Sequence, residues 1–325
     1  MKIKEIGGEF ALIDRLAKMV TGKQPEVVQG IGDDAAVIRT APEPAPYLLV
    51  TTDMLVESRH FNCSWATPEQ IGIKASECNV SDIAAMGGTA RWMFVSIALP
   101  AEAEVSWVEG LYKGIERSCR CHNIALLGGD TTQGAVTTIN ISLLGAVSPQ
   151  NLCLRSHAKP GDLLMVTGPL GGSAAGLAML NSGKTPSDYL KQKHLEPRCR
   201  MDAVELVAPL ANAMIDISDG LGAEVNHLCT QSKSGAEINS NLIPLHDEVI
   251  KAGQLLGVDP LEWAIGGGED FELLFSIPPQ KIAELDEKEI QCTQVGKITD
   301  QRGNVRLIDR TGCSSQLQGG YNHFR

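Results

Sequence analysis

Residues 30–37 read Gly-Ile-Gly-Asp-Asp-Ala-Ala-Val, and the conflict inside that run is chemically specific. Two glycines one residue apart permit a tight turn, of the kind that offers backbone N–H groups to phosphate. Asp33 and Asp34 follow at once, and two carboxylates repel a phosphate. A divalent cation between acid and phosphate removes the conflict. That reading requires further acids, and the chain supplies them. Asp53, Asp82, Asp130, Asp216 and Asp219 each follow apolar residues, mostly where loops begin or strands end, with Thr51, Thr52, Thr131 and Ser218 nearby. Carboxylates and hydroxyls are hard oxygen donors that suit Mg2+, which keeps part of its water shell and bridges to substrate phosphates. Taken singly, each acid is more often a turn or helix-cap residue. Asp82 could cap a helical turn, and Asp130 could close a Gly-Gly turn. Their number favours a metal site, and crowded carboxylates need the cation.

Two other phosphate-type patterns fail on inspection. Gly30-x-Gly32-x-x-Ala35 with Asp53 downstream imitates a dinucleotide fingerprint, but acids occupy its phosphate face and a short strand, not a helix, follows. Gly183-Lys184-Thr185 imitates a P-loop, but Ala178 stands where the first glycine belongs. Arg155 is either a surface charge near a linker or a fork reaching a nucleotide phosphate. His60 has no acid at helical spacing.

The elements that must hold these residues alternate in type. Phe10, Ile13, Leu16 and Ala17 predict a helix over 9–20. A helix over 68–85 opens on Pro68 and stops at Gly87-Gly88. Further helices are expected over 106–121, 174–180 and 221–230. Strands are expected to end at 29 and to cover 47–52, 92–99, 124–127, 137–147, 163–167 and 214–217. Loops at 168–173, 218–220 and 266–270 carry the remaining glycines and acids. The composition changes over 148–162, with Pro149 and the turn Lys159-Pro160-Gly161-Asp162. A boundary there divides the chain into 1–148 and 149–325, two domains of mixed sheets flanked by helices, of α+β or α/β class.

Bulk properties narrow the partners. The 325 residues are 43% hydrophobic, enough for two cores, and carry a net charge of -11. That charge and the 4% aromatic content argue against a nucleic-acid or anionic-membrane partner. Nine cysteines occur without a CxxC pair, and the cluster Cys119-Arg120-Cys121-His122 lacks a second pair for zinc. Reduced thiols, no apolar leader and no long apolar run lead to the expectation of a soluble cytoplasmic protein.

Seven pieces in order then define a resemblance. They are 30–34 (Gly-Ile-Gly-Asp-Asp), 51–53 (Thr-Thr-Asp), 79–87 (Asn-Val-Ser-Asp-Ile-Ala-Ala-Met-Gly), 128–132 (Gly-Gly-Asp-Thr-Thr), 215–221 (Ile-Asp-Ile-Ser-Asp-Gly-Leu), 267–270 (Gly-Gly-Glu-Asp) and 320–324 (Gly-Tyr-Asn-His-Phe). Together they resemble the thiamine-monophosphate kinase family, over the whole chain. The wider superfamily of aminoimidazole ribonucleotide synthetase shares the acidic loops less closely. The resemblance implies ATP-dependent phosphorylation of thiamine monophosphate to thiamine diphosphate, with several Mg2+ ions. By position, Asp34, Thr51, Thr52, Asp53, Asp82, Asp130, Asp216 and Asp219 would hold metal. Tyr112, Gly129, Arg155 and Ser218 would contact ATP, and His60, Glu269 and Tyr321 the thiamine substrate. Asp33 would shape the turn or bind through water. The family fold implies N-terminal domains that pair across a homodimer as a β-barrel. No general base is implied, since the acceptor is an already ionised phosphate. The alternatives are a synthetase of the same superfamily acting on another acceptor, and a non-catalytic Mg2+- and nucleotide-binding protein.

Overall fold

The computed structural model describes residues 3–6, 8–19, 24–287 and 290–321. Helix α1 (Glu9–Ala17) precedes a six-stranded sheet built from β1 (Val27–Gln29), β2 (Ala36–Ile38), β3 (Tyr47–Val56), β4 (Thr89–Leu99), β5 (Ala125–Gln133) and β6 (Thr138–Val147). Its order is β1-β2-β3-β6-β4-β5. All neighbours are antiparallel except β4 and β5, which run parallel across the helix that connects them. The sheet is open, with β1 and β5 at its edges.

Two helices cover one side. α2 (Pro68–Ala85) starts with a reciprocal capping box between Thr67 and Gln70, and Pro68 fits a first turn whose N–H would be unpaired anyway. α3 (Val105–Cys121) lies against it. Gly72 and Gly114 allow that approach, because a Cβ on either would lie 2.1 Å or less from a carbonyl oxygen of the facing helix. α2 is buried along most of its length. It packs on β3 and β6 and also reaches elements of the second half, so it runs between two cores.

The second half holds a seven-stranded sheet: β7 (Leu163–Val166), β8 (Ala213–Asp216), β9 (Gly235–Asn239), β10 (Leu273–Ile277), β11 (Thr293–Thr299), β12 (Val305–Ile308) and β13 (Ser314–Gln316). Its order is β13-β12-β9-β11-β7-β10-β8, with only β12 and β9 parallel. The helices are α4 (Gly172–Asn181), α5 (Asp188–Leu195), α6 (Met201–Val207), α7 (Leu221–Ser232), α8 (Asp247–Leu256), α9 (Pro260–Gly266) and α10 (Ile282–Asp286). Among the described residues no helix is long and apolar enough to cross a membrane.

The mixed-sheet class and the 68–85 helix agree with expectation. Other boundaries shift. The strand expected over 124–127 continues to Gln133, because the Gly-Gly-Asp run pairs with β4 instead of turning. Asp130 is therefore a strand residue. The helix expected over 174–180 begins at Gly172, with Gly171 in the left-handed region as its N-cap. Asp53 lies inside β3, and Asp82 lies inside α2. The expected helix end at Val20 and residues 322–324 of the closing motif lie outside the described residues.

Candidate active site

α2 is the spine of the site. Lys74, Cys78 and Asp82 recur every four residues, so they stack along one face of the helix. Asn79 and Ser81 flank that face. Asn79 Oδ1 accepts the Asp53 backbone N–H at 3.1 Å, and its amide donates to the Ala75 carbonyl. Ser81 Oγ donates to Asp216 Oδ2 at 2.6 Å. The Thr51 hydroxyl donates to Asp82 Oδ2. One helix thus positions an acid from β3 and another from the end of β8.

Carboxylate oxygens of Asp34, Asp82 and Asp216 come within 4.8 Å of one another. Asp34 and Asp216 are buried, Asp216 to 1% exposure. Burial, and then Asp34, push the Asp216 carboxyl well above its ordinary value, against the Ser81 hydroxyl and Arg155. Burial, Asp53, Asp216 and Asp34 do the same to Asp82. Asp53 is raised by burial and, less strongly, by Asp34. Such a group is neutralised by protons or by a cation. The clustered donors are carboxylate oxygens only, the set that suits a hard ion such as Mg2+. The residues therefore fit the metal that the sequence leads one to expect.

The Gly30 turn supplies the outer wall. Of its two glycines only Gly32, at φ 118°, needs glycine's conformational freedom. Asp33 and Asp34 take different parts. Asp33 accepts the backbone N–H groups of Asp34 and Arg155 at 3.1 and 3.2 Å and so closes the turn. Burial, then Asp34, push its carboxyl up to about 7. Asp34 faces the cluster and is gripped by the Arg155 guanidinium, whose Nε donates to Oδ2 at 3.1 Å while an NH2 group donates to Oδ1.

A second wall comes from the loops after β8 and α9. The Glu269 backbone N–H donates to the Ser218 carbonyl at 2.8 Å, and the Tyr321 N–H to the Asp219 carbonyl at 3.0 Å. Ser218, Asp219, Glu269 and Tyr321 are thereby neighbours. Burial, then Glu9, raise Asp219 to about 6. Glu269 adopts φ 64°, a left-handed conformation unusual for a glutamate. Its carboxylate meets Lys74 Nζ at 2.7 Å and lies 3.6 Å from His194 Nδ1. Burial opposes its charge, but Lys74 and His194 outweigh that, and the carboxyl sits below its usual range. His60, whose Nδ1 accepts the Val56 N–H at 2.9 Å, adds to that effect. His60, Trp65, Lys74 and His194 line a small cavity next to Glu269.

Not every expected residue joins the cluster. The Thr52 side chain lies on the opposite face of β3 from Thr51 and donates to the Ile141 carbonyl at 3.0 Å. Asp130 is exposed on edge strand β5, outside the Asp34–Asp82–Asp216 group. Gly129 is fixed by pairing: a Cβ there would lie 1.7 Å from the Val95 carbonyl oxygen. Tyr112, on α3, packs against the first core. Sequence reasoning missed Lys74, Asn79, Ser81, His194 and Glu224. Glu224 is buried and accepts the Asp219 N–H at 2.9 Å, bracing that loop. The four-residue spacing of Lys74, Cys78 and Asp82 was an available signal.

Comparison with known proteins supports the same architecture. Residues 32–147 match the N-terminal domain of the AIR synthase related proteins, and residues 159–308 match their C-terminal domain. The chain is therefore an AIR synthase related protein of two mixed-sheet halves. Thiamine-monophosphate kinase of Buchnera aphidicola subsp. Schizaphis graminum is 37% identical, over 97% of this chain and 98% of that protein. Thiamine-monophosphate kinase of Aquifex aeolicus is 37% identical, over 93% and 95%. The solved structure of AaThiL complexed with AMPPCP and TMP superposes with a TM-score of 0.88 at 36% identity, covering 100% of this chain and 99% of that one. This chain belongs to the thiamine-monophosphate kinase family, a family of phosphotransferases.

Proposed function

We propose that the chain transfers the terminal phosphoryl group of ATP directly to the phosphate of thiamine monophosphate, giving thiamine diphosphate and ADP. The observation that carries this reading is the buried Asp34–Asp82–Asp216 cluster beside Arg155, inside a chain whose relatives are thiamine-monophosphate kinases. Asp34, Asp82 and Asp216 would hold Mg2+, with Asp53, Thr51 and Asp219 adjoining; the family resemblance also gives Thr52 and Asp130 metal contacts, apart from this cluster. Bound there, Mg2+ supplies charge neutralisation and alignment of phosphate oxygens for in-line transfer.

The protein's own groups do the rest. Arg155 offers a planar fork suited to a phosphate, and Ser218, Gly129 and Tyr112 are the further ATP contacts that the family resemblance implies. The acceptor oxygen is ionised near neutral pH, so positioning replaces proton abstraction. Glu269 carries charge suited to the cationic thiazolium, and the Tyr321 ring offers a face to it. Lys74 already balances Glu269, so thiazolium entry shares an existing ion pair and does not meet a bare carboxylate.

With the division at 148/149, self-association falls to the first domain, while metal and nucleotide are shared: Asp34 and Asp82 come from the first, Asp216, Arg155 and Ser218 from the second. β5 is exposed throughout, with Leu126 and Leu127 outward, and Trp92 and Phe94 of neighbouring β4 are half-exposed. An open, apolar edge of that kind is a self-association surface, and a homodimer closing a shared barrel would cover it. We place the work in the cytoplasm, where ATP and reduced thiols occur together. The test is incubation of the protein with ATP, Mg2+ and thiamine monophosphate, with thiamine diphosphate and ADP measured. Folded protein that forms neither would overturn the proposal. ADP formed only with another acceptor would move the chain to the synthetase reading.

A further inference from the structure

A second group of metal-type donors lies where α2, the end of α3 and the segment before α6 meet. A carboxylate oxygen of Glu77, an imidazole nitrogen of His122 and the Cys199 thiol sulfur come within 4.8 Å of one another. Glu77 and Cys199 are buried, and the His122 side chain is 12% exposed. Glu77 Oε1 accepts the Ser118 hydroxyl at 2.6 Å and lies 2.8 Å from His122 Nε2. Glu77 Oε2 accepts the Cys199 backbone N–H at 3.0 Å. The carboxylate is thus held from behind by two donors, as supporting groups hold a metal ligand.

The donor set differs from that of the active site. A thiolate, an imidazole and a carboxylate select a borderline-soft ion, and Zn2+ is the commonest choice. Ligands of tetrahedral zinc stand about 3.3–3.7 Å apart, as its bond lengths require. Glu77 Oε1 and His122 Nε2, now 2.8 Å apart, would have to open to that spacing, and the sulfur lies within 4.8 Å of both ligand atoms. The cysteine-histidine cluster at 119–122 lacks a partner in the sequence, and here the fold brings one from Cys199.

We propose that Glu77, His122 and Cys199 form a zinc site, with water in the fourth position on the His122 side, that clamps α2 and α3 to the chain leading into α6. Binding expels the Cys199 thiol proton to solvent and moves the proton shared by Glu77 and His122 off Nε2, leaving a neutral imidazole protonated at Nδ1, so that two bonds to the ion replace the Glu77–His122 contact. The Ser118 hydroxyl and the Cys199 N–H stay on Glu77. Such a clamp acts on stability, since it ties one half of the chain to the other.

The test uses the full chain, stripped with chelator and returned to excess Mg2+, which occupies the carboxylate cluster. Co2+ is then titrated in as a spectroscopic probe. One equivalent should give an intense near-ultraviolet thiolate-to-cobalt band that Zn2+ displaces. Cys199→Ala should abolish the band, and His122→Gln should weaken Zn2+ binding by more than the roughly 10–100-fold that loss of a supporting group costs. Zn2+ should raise the melting temperature of the wild type but not of Cys199→Ala. No thiolate band in folded wild-type protein overturns the proposal. So does a band that survives Cys199→Ala, which would trace it to the exposed Cys63, Cys121 or Cys313. If Cys199→Ala does not fold, His122→Gln decides alone, because its imidazole sits at a helix end.

Discussion

Asp216→Asn separates the metal role of the cluster from a packing role, because the two predict opposite signs. Asp216 is buried within 4.8 Å of Asp34 and Asp82, measured between ligand oxygens. At that distance two ionised carboxylates repel by about 3.5 kcal/mol at an effective dielectric constant near 20. Part of this is relieved in the metal-free protein, since the raised carboxyls retain protons and Arg155 neutralises Asp34. The remaining strain released by an isosteric amide is about 2–3 kcal/mol. Asn keeps an oxygen that accepts the Ser81 hydroxyl. In chelator the variant should therefore melt roughly 4 °C or more above wild type. With Mg2+ the order reverses: wild type gains stability by ligand linkage, and the variant gains little. Phosphoryl transfer should fall by at least about 1,000-fold, the loss expected when charge stabilisation in the transition state is removed. Melting curves with chelator and with Mg2+, together with thiamine diphosphate formation, read all three. A variant that melts below wild type in chelator, or that keeps the wild-type Mg2+ dependence, refutes the metal assignment of Asp216.

Other perturbations test neighbouring parts. Arg155→Lys replaces a bidentate fork by a point charge, so KM for ATP should rise about tenfold or more in steady-state kinetics, and the melting temperature should fall because the two-pronged hold on Asp34 is lost; an unchanged KM removes Arg155 from nucleotide contact. Lys74→Met removes the nearest cation from the half-buried Glu269, leaving His194 at 3.6 Å, and should cost roughly 1–3 kcal/mol in denaturant unfolding, whereas an unchanged midpoint would show the pair to be idle. Asp270 is buried, and burial pushes its carboxyl up to about 7 from 3.8. The folded chain then holds a proton that the unfolded chain releases across that window, so stability falls as pH rises from about 4 to 7 by up to about 1.4 kcal/mol per unit. Asp270→Asn should remove that share of the slope in melting curves across the window, and an identical slope would exclude it. The proposed homodimer predicts that Leu126→Glu on the exposed strand β5 gives a monomer in sedimentation where the unsubstituted chain gives a dimer, and a profile unchanged by the substitution would free that edge of any role in assembly.

The elements were legible where local physics decides them. Pro68 and the Gly87-Gly88 stop bound α2 to the residue, and β-branched runs mark β3 and β6. The acids of the cluster were legible as a set of types, because buried-looking carboxylates beside hydroxyls have few other uses. Their grouping was not legible: Asp34, Asp82 and Asp216 are far apart in the chain, and only packing joins them. Asp130 shows the converse. Gly128-Gly129-Asp130 reads locally as a turn, but β4 pairs with it and imposes extended structure, a tertiary override of local preference. Lys74 was overlooked because a lysine in a helix is ordinarily a solvated residue, and its burial follows from Glu269, 195 positions away.

The charge layout limits the repulsion that so acidic a site must withstand. Arg155 balances Asp33 and Asp34 at one side, and Lys74 balances Glu269 at the other. Among the described residues no lysine, arginine or histidine makes an ion-pair contact with Asp82 or Asp216. The uncompensated charge is thus confined to the middle of the site, between two fixed cations. Scattering the acids would give no cation a complete site, and pairing all of them internally would leave none for phosphate chemistry. α2 can enforce the arrangement because it is held on nearly every side, so Lys74 and Asp82, two turns apart on one stripe, cannot move independently. The ends proposed for substrate and for metal are set by one rigid element. Substitutions that loosen its packing at Gly72 or Gly114 should then impair both ends together, where a change at either end alone would impair one.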